Sequence, residues 1–308
     1  MKLTYPTSLR GIEGWARSNG MRVAEAKFRF AQYGILQAVA GSRTLSQVLA
    51  FKGGNALDFF WQPNRSTKDL DFSSRDSTLT AEWLRASLTP SLDLVSRTTG
   101  VLYRVQKMEQ QPPGPDRSFI TFDGKIGYAL PDDRRNRQFI QQGKVSKATV
   151  PFEVSLNEPI CKIVEVDIAS SNTLQVCQLE DIVAEKLRAL LQQPLRNRHR
   201  PQDVLDICVV AREYPDLDLN LTAQFLLEKA KARDVPVSRA AFHQEEIRSR
   251  AFEGYGELRE TTRNAFIEFE EAFTSVLSLV DRLPLPHPTS LTPPEPGAGR
   301  GKRHRSLH

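Results

Sequence analysis

The stretch from Phe51 to Ser74, FKGGNALDFFWQPNRSTKDLDFSS, constrains the fold more than any other part of the chain. Its glycine pair, Gly53 and Gly54, ends an apolar run and precedes a short helix-like piece over 55–61. Glycine lets backbone N–H groups come close to a ligand, and amides at the junction of a strand and a helix suit a phosphate group. A glycine pair alone is more often a plain tight turn. The rest of the stretch favours the phosphate interpretation.

The rest of the 51–74 stretch contains two aspartates two positions apart, Asp69 and Asp71. In DLDF (69–72) polar and apolar side chains alternate, as they do on a strand with one buried face. Asp69 and Asp71 then share the outward face about 7 Å apart, where like charges repel each other. A divalent ion would turn that repulsion into binding, because Mg²⁺ takes one or two carboxylates together with substrate phosphates. A solvent-facing edge strand is the alternative, but the glycine pair followed by RSTKDLD is a far more specific pattern.

A third carboxylate has two candidates. The segment TVPFEVSL (149–156) alternates strictly, which puts Glu153 on the face opposite its apolar residues. If this strand lies beside DLDF, Glu153 lies beside the aspartate pair. Glu165 and Asp167 in KIVEVDI also alternate and are the second candidate. We favour Glu153.

A helix over LEDIVAEKLRALL (179–191) carries a lysine on its apolar face. At about 100° per residue, Lys186 falls in the middle of the apolar stripe. A lysine there either extends its ammonium to solvent or meets an anion such as a triphosphate. The remaining charges of the helix fall outside the stripe and are predicted to lie at the surface; they are Glu180, Asp181, Glu185 and Arg188.

The next helix, PQDVLDICVVA (201–211), is apolar nearly all round and is predicted to be buried. Asp203 suits the first turn, where the helix dipole favours an acid. Asp206 has no such reason and needs a partner. The preceding basic turn offers Arg196, Arg198, His199 and Arg200. That turn could equally hold nucleic-acid phosphates or remain a solvated loop.

Composition excludes several classes of protein. No apolar run approaches about 18 residues and the N-terminus has no signal-like apolar region, so we expect no membrane span and a cytoplasmic protein. Three cysteines without a CxxC motif agree with a reducing compartment. No serine-hydrolase, zinc-protease or P-loop motif is present, and the five histidines show no metal spacing.

The pattern along the chain predicts four parts. An N-terminal helical segment (1–45) contains a helix over 21–40, an α/β core follows (46–177), and a helical bundle comes next (178–283). The last part, 284–308, is a basic tail rich in Pro and Gly that we expect to be disordered. This tail carries +3 of the net charge of +5, so the body is no general polyanion binder.

Four blocks, in this order, carry a resemblance to a known family: FKGGNAL with RSTKDLDF, then FEVS, LEDIVAEKLRALL and RNRHRPQDVLDI. Over roughly residues 45–210 the chain resembles the AbiEii/AbiGii nucleotidyltransferase toxins of the DNA polymerase β-like superfamily. The chain departs from that pattern at Asn55, where Thr or Ser is common after the glycines. Its spacing of 15 positions from Gly54 to Asp69 is also longer than in the shortest family versions.

The resemblance implies an α+β fold, in which a minimal nucleotidyltransferase mixed-sheet core has N-terminal helices and a C-terminal helical bundle. It implies a catalytic group of Asp69, Asp71, Glu153, Lys186 and Asp203. It implies a nucleotide-binding group of Lys52, Gly53, Gly54, Arg65, Thr67, Lys186 and Asp206. Mg²⁺ or Mn²⁺ would be bound by Asp69, Asp71 and Glu153.

The implied function is metal-dependent transfer of NMP from an NTP to RNA, such as the 3′ end of tRNA. The enzyme would be the toxin of a toxin–antitoxin or abortive-infection system, with a cognate antitoxin encoded nearby. Transfer of AMP or another NMP to a protein hydroxyl is one alternative, and a non-catalytic nucleotide- or partner-binding module is another. The basic turn 196–200 favours RNA, as do Arg134, Arg135 and Arg137.

Overall fold

The computed structural model describes residues 5–61, 64–114, 117–169, 172–263 and 266–286. Within these ranges the chain forms one mixed sheet of seven strands in the order β3-β4-β5-β2-β1-β7-β6. The pairs β2–β5 and β1–β7 are parallel, and the other neighbours are antiparallel. The strands are β1 (Leu49–Lys52), β2 (Leu70–Ser74), β3 (Leu102–Gln111), β4 (Thr121–Ala129), β5 (Thr149–Leu156), β6 (Ile163–Ala169) and β7 (Asn172–Cys177).

Helices precede, interrupt and follow the sheet. Before and within it lie α1 (Ile12–Ser18), α2 (Val23–Gly41), α3 (Leu45–Val48), α4 (Gly53–Ala56), α5 (Ala81–Thr99) and α6 (Arg134–Gln141); a π-helical turn, Leu57–Trp61, continues α4. After it lie α7 (Leu179–Leu191), α8 (Gln193–Arg196), α9 (Pro201–Glu213), α10 (Leu219–Ala232), α11 (Arg239–Phe242), α12 (Glu245–Phe252), the 3₁₀ turn Tyr255–Glu260 and α13 (Phe269–Arg282). This arrangement confirms the predicted α+β class.

The apolar face of the central strands forms the core. Leu70 and Phe72 are fully buried, as the alternation in DLDF predicts. The ring of Phe72 lies 5.1 Å from that of Phe51 on β1 and 5.0 Å from that of Phe152 on β5, centroid to centroid. Helix α2, predicted over 21–40, packs on β6, β7 and α5. The polar side chains of the same strands are thereby left on the other face.

Helix α7 is buried much more completely than its amphipathic pattern predicts. Asp181 is 1% exposed, Arg188 6% and Glu180 9%, so the expectation that these charges lie at the surface is wrong. The reason is that α9 and α10 both pack against α7, so more than one apolar stripe is covered. Lys229 of α10 pairs with Asp181 at 2.7 Å, which compensates that buried charge.

The chain beyond α13 is ordered further than the composition indicates. Leu283 is fully buried and Leu285 is 5% exposed, whereas disorder was expected from residue 284. These two apolar side chains pack on the core, which the Pro-rich composition of the segment does not indicate. The rest of the predicted tail, 287–308, lies outside the described residues, and the four-part domain division stays a prediction.

None of the helices in the described ranges is long and apolar enough to cross a membrane.

Candidate functional site

A row of charged side chains crosses four adjacent strands. Asp71 on β2 lies opposite Glu153 on β5 and, on its other side, opposite Lys52 on β1. Glu153 in turn lies opposite Asp123 on β4. Directly opposed residues share a face, with Cβ atoms about 4.5–5.5 Å apart. The prediction that Glu153 lies beside the aspartate pair requires its strand to neighbour DLDF, and β5 does lie next to β2.

The alternative third acids lie elsewhere. Glu165 and Asp167 belong to β6, an edge strand separated from β2 by β1 and β7. Neither lines the cleft described below. The structure thus places Glu153, and not this pair, next to Asp71.

Asp69 ends a short irregular segment that two buried amides hold in place. The side chain of Gln32 on α2 donates to the carbonyl oxygens of Thr67 (3.1 Å) and Lys68 (2.9 Å). The side chain of Asn55 on α4 donates to those of Thr67 (3.2 Å) and Asp69. Both amides are fully buried. Asn55, the departure from the family pattern, therefore has a clear structural task, because it positions the backbone that carries Asp69.

Gly53 lies close against Asp71 in a backbone conformation that favours glycine. Its φ is +77°, in the left-handed region, and a Cβ there would lie 2.5 Å from Oδ2 of Asp71. A Cβ on Gly54 would lie 3.1 Å from both Nη2 of Arg65 and Oγ1 of Thr67. The glycine bend, the aspartate strand and the RST segment thus meet at one point.

Two cations and two anions form a buried cluster beside that point. Nζ of Lys186 lies 2.8 Å from Oδ1 of Asp203 and 2.8 Å from Oδ2 of Asp206. The guanidinium of Arg65 binds Asp206 through two hydrogen bonds of 3.2 and 2.9 Å. Burial alone would raise the pKa of Asp206, but the charges of Arg65 and Lys186 outweigh it and lower the pKa to about 2.

This cluster corrects the expectation for Asp206. The basic turn ahead of α9 was expected to supply its partner, yet that partner is Lys186 on α7 together with Arg65, which lies 141 positions earlier in the chain. The turn ahead of α9 lines the cleft instead. No local sequence pattern could have indicated so distant a pairing.

Three carboxyl groups of the cleft, those of Asp69, Asp71 and Glu153, have raised pKa values. Burial is the largest influence on Asp71; Lys52 opposes it, Glu153 and Asp69 add to it, and the pKa rises to about 7. Burial also raises the pKa of Asp69. The pKa of Glu153 is raised by burial and by the charges of Asp69 and Asp123. Groups that resist ionisation for these reasons gain most from a bound cation.

The donor set fits a divalent hard cation that the substrate completes. In the described part of the chain no three carboxylate, histidine or cysteine side chains are grouped closely enough to hold a metal ion by themselves. Mg²⁺ rarely needs such a cage, because it binds through one or two carboxylates plus substrate phosphates. Asp71 on β2 and Asp69, immediately before that strand, could form such a partial set.

All predicted site residues except Asp206 line one cleft of about 870 Å³. Asp206 does not line the cleft, but it forms ion pairs with two residues that do, Arg65 and Lys186. The lining members of the predicted set are Lys52, Gly53, Gly54, Arg65, Thr67, Asp69, Asp71, Glu153, Lys186 and Asp203.

Sequence reasoning missed a second charged group in this cleft. Glu158, just after β5, pairs with Lys52 and with Arg233 of α10. Ser73 also donates to Glu158 at 3.4 Å. Glu158 belongs to no repeated or alternating pattern, so only its position in the fold reveals it.

Arginines without a carboxylate partner line the remaining part of the cleft. Arg196, Arg198 and Arg200 come from the turn between α8 and α9, and Arg117 comes from the β3–β4 connection. None of the four forms an ion pair within the described ranges. The other basic residues predicted to favour RNA, Arg134, Arg135 and Arg137, lie on α6 and do not line the cleft.

Residues 34–277 match the family model described as the nucleotidyl transferase AbiEii toxin of type IV toxin–antitoxin systems. The chain belongs to this family. AbiEii membership makes the protein a nucleotidyltransferase toxin, and it implies an NTP substrate and an antitoxin partner. The resemblance seen in the sequence is thereby confirmed.

Three solved structures are similar to this AbiEii-family chain. JHP933 from Helicobacter pylori is 15% identical, with 84% of this chain and 90% of that chain covered and a TM-score of 0.48. A nucleotidyltransferase structure from H. pylori is 14% identical, covers 84% and 92%, and has a TM-score of 0.47. MenT4, a nucleotidyltransferase toxin from Mycobacterium tuberculosis H37Rv, is 14% identical, covers 88% and 96%, and has a TM-score of 0.45. No curated protein matches the chain.

Proposed function

We propose that this AbiEii-family enzyme uses Mg²⁺ or Mn²⁺ to transfer NMP from an NTP to the 3′ hydroxyl of an RNA, with tRNA as the acceptor. One observation carries the proposal: Asp71, next to the Gly53 bend and opposite Glu153, lies in a cleft with arginines that form no ion pair within the described ranges. In the reaction the acceptor oxygen bonds to the α-phosphorus, the bond from that phosphorus to the bridging oxygen breaks, and pyrophosphate leaves.

Asp69 and Asp71 are the proposed metal ligands, with Glu153 as a further ligand or as the base that takes the acceptor's proton. When bound, the metal would neutralise phosphate charge and lower the pKa of the attacking hydroxyl. Glu153 suits proton uptake because its pKa is raised, mainly by burial. It lies directly opposite Asp71, one strand spacing from that proposed metal ligand.

Lys186 is the proposed contact to the phosphates. An ammonium has three N–H donors, and two of them are used by Asp203 and Asp206. The third remains for a ligand in the cleft that Lys186 lines. Arg65, fixed by the same Asp206, lies beside Gly54 and Thr67. Asp203 and Asp206 therefore position the two cations, Lys186 and Arg65, that would stabilise the developing negative charge on the phosphates.

The unpaired arginines support a polyanionic acceptor. Inner cations of the cleft are already neutralised by carboxylates, as in the pairs Lys52–Glu158 and Lys186–Asp203. Arg117, Arg196 and Arg198 have no such partner in the described ranges, so they are available to backbone phosphates. A protein hydroxyl as acceptor gives no reason for this arrangement.

The direct test is incubation of the protein with each labelled NTP, Mg²⁺ and either total RNA or cell lysate. Label in RNA, with a preference for tRNA, is the expected result. Label in protein would replace the RNA acceptor by a protein hydroxyl. Label in neither fraction, at a range of Mg²⁺ and Mn²⁺ concentrations, would contradict the proposal.

The double variant Arg196→Gln/Arg198→Gln is expected to bind tRNA more weakly and with a shallower salt dependence. Each lost phosphate contact to a single strand lowers the slope of log K against log salt by about 0.7, so two contacts lower it by about 1.4. Filter binding between low and moderate salt measures both quantities. Arg134→Gln/Arg135→Gln on α6, outside the cleft, is the matched control that removes the same charge. Equal losses in both variants would show a general charge effect and no acceptor site.

Binding of Mn²⁺ is expected to strengthen as the pH rises to about 7. The pKa of Asp71 is raised to about 7, so below that pH the metal must displace a proton from this carboxyl. Affinity should therefore increase through pH 5 to 7 and level off above it. The electron paramagnetic resonance signal of free Mn²⁺ gives the affinity without turnover. Asp71→Asn should weaken binding and flatten this rise, and a wild-type affinity that does not change over the range would contradict the assignment of Asp71.

A further inference from the structure

One end of the cleft carries an aromatic ring among otherwise polar and aliphatic groups. Phe119 lies just ahead of β4 and is half-buried. Among the described residues it is the single aromatic side chain that lines the cleft. An accessible ring in a polar cleft of an enzyme that binds nucleotides needs an explanation, because burial in the core would have been more favourable.

One face of the ring is covered by an arginine whose own charge is paired. The guanidinium carbon of Arg233 lies 3.6 Å from the centroid of Phe119 and covers one face. Arg233 also forms an ion pair with Glu158, whose second carboxylate oxygen pairs with the ammonium of Lys52. The charges of Arg233, Glu158 and Lys52 are therefore paired with one another, which leaves the ring to a flat uncharged group.

The sheet places hydroxyl groups between the carboxylates and the ring. Ser73 follows Asp71 by two residues on the same face of β2 and lies opposite Ser155. Ser155 lies opposite Thr121 on β4, and Phe119 precedes Thr121 by two residues. The step from Asp71 to Ser73 is about 7 Å along the strand. Along this face of the sheet the order is therefore carboxylates, then the hydroxyls of Ser155 and Thr121, then the ring of Phe119.

This order matches the parts of a nucleotide. Resting on the proposed function, we infer that Phe119, braced by Arg233, is the platform on which the base of the incoming NTP stacks. Ser155 and Thr121 then lie beside the ribose, while the triphosphate reaches Asp69 and Asp71. Stacking on an aromatic ring accepts every base, because each base has a π-face. All four NTPs should therefore depend on Phe119.

The test compares NTPs with inorganic tripolyphosphate, which has neither base nor ribose. In Phe119→Ala we expect the dissociation constant of each NTP, measured with Mg²⁺ by calorimetry, to rise about tenfold or more. The affinity for tripolyphosphate and the KM for tRNA should not change. Phe119→Trp should restore NTP binding. Phe119→Leu keeps apolar volume without a π-face, and it serves in place of Phe119→Ala if that variant does not fold.

Phe139→Ala is the matched control. Phe139 is also half-buried and has an arginine, Arg135, at 5.6 Å from its ring centroid, but it lies on α6 outside the cleft. Its NTP affinity should equal that of the wild type.

Three results would overturn the platform. They are unchanged NTP affinity in both Phe119→Ala and Phe119→Leu, an equal loss of tripolyphosphate affinity, or a rise confined to the KM for tRNA, which would assign the ring to the acceptor's terminal base. A wild-type protein that binds neither NTP nor tripolyphosphate would instead show that the proposed function itself has failed, and the platform with it.

Discussion

Asp71→Asn is expected to lower the rate of nucleotidyl transfer by about 10³-fold or more while the protein stays folded. The substitution keeps the shape of the side chain and removes the charge that is proposed to bind the metal. Loss of several kcal/mol of metal-derived stabilisation in the transition state corresponds to this factor, since each 1.36 kcal/mol is tenfold in rate. Incorporation of labelled NTP into tRNA at saturating Mg²⁺ measures it.

The same variant should be more stable than the wild type in the absence of metal. The pKa of Asp71 is raised to about 7 in the folded protein, mainly by burial, from an ordinary value of 3.8. The folded state therefore binds the proton more tightly, and wild-type stability falls as the pH rises from about 4 to 7. Asp71→Asn removes this loss, so its advantage in thermal unfolding with EDTA should be larger at pH 8 than at pH 4.

Glu165→Gln is the matched control, because Glu165 belongs to the alternating strand that was the other candidate for the third acid. It is exposed on β6 and does not line the cleft, so both activity and stability should stay near those of the wild type. Full activity in Asp71→Asn, or equal loss in both variants, would remove the metal assignment.

Sequence periodicity predicted the faces of the strands but could not predict their neighbours. Alternation in DLDF and TVPFEVSL correctly buried Leu70 and Phe152 and put Asp71 and Glu153 on the other face. That the two strands are adjacent, parallel and in a register that opposes Asp71 and Glu153 is a property of the whole sheet. From the sequence, the adjacency of these two strands could only be assumed.

Helix α7 shows a second limit. Periodicity identified the buried position of Lys186, but it assumed that one face of the helix is covered. Because α9 and α10 pack on different sides, Asp181 and Arg188 are buried as well. Their partners, Lys229 and Glu185, come from two different helices, and only the α7 pair has a helical spacing that a sequence could reveal.

Long-range pairs could not be predicted at all. One partner of Asp206, Arg65, is 141 positions away. Glu158 pairs with Lys52, 106 positions earlier, and with Arg233, 75 positions later. Residue types indicated that Asp206 needs a cation, because a buried carboxylate without one is costly. They could not say which cation it is, since that choice follows from packing.

Lys186→Met is expected to lower the free energy of unfolding by about 3–5 kcal/mol at pH 7 and to abolish transfer activity. The side chains of Lys186, Asp203 and Asp206 are 9%, 6% and 7% exposed, so the variant leaves buried carboxylates without their shared cation. Breaking a buried pair in this way costs about that amount, even though the intact pair contributes little net stability. Arg65 still neutralises Asp206, so Asp203 bears most of the loss. Denaturant unfolding and the tRNA labelling assay measure the two effects.

A second substitution separates the structural role of Lys186 from its proposed contact with phosphate. In Lys186→Met/Asp203→Asn the uncompensated carboxylate is gone, so most of the stability should return, whereas activity should not, because no ammonium reaches the cleft. The part of the Lys186→Met stability deficit that comes from Asp206 should shrink as the pH falls from about 4 toward 2. The pKa of Asp206 is lowered to about 2, so the ion pairs of Asp206 contribute fully above its ordinary pKa of 3.8 and are lost as that carboxyl takes up its proton. If the double variant regains activity together with stability, Lys186 is a structural cation for Asp203 and Asp206 and makes no contact with the nucleotide.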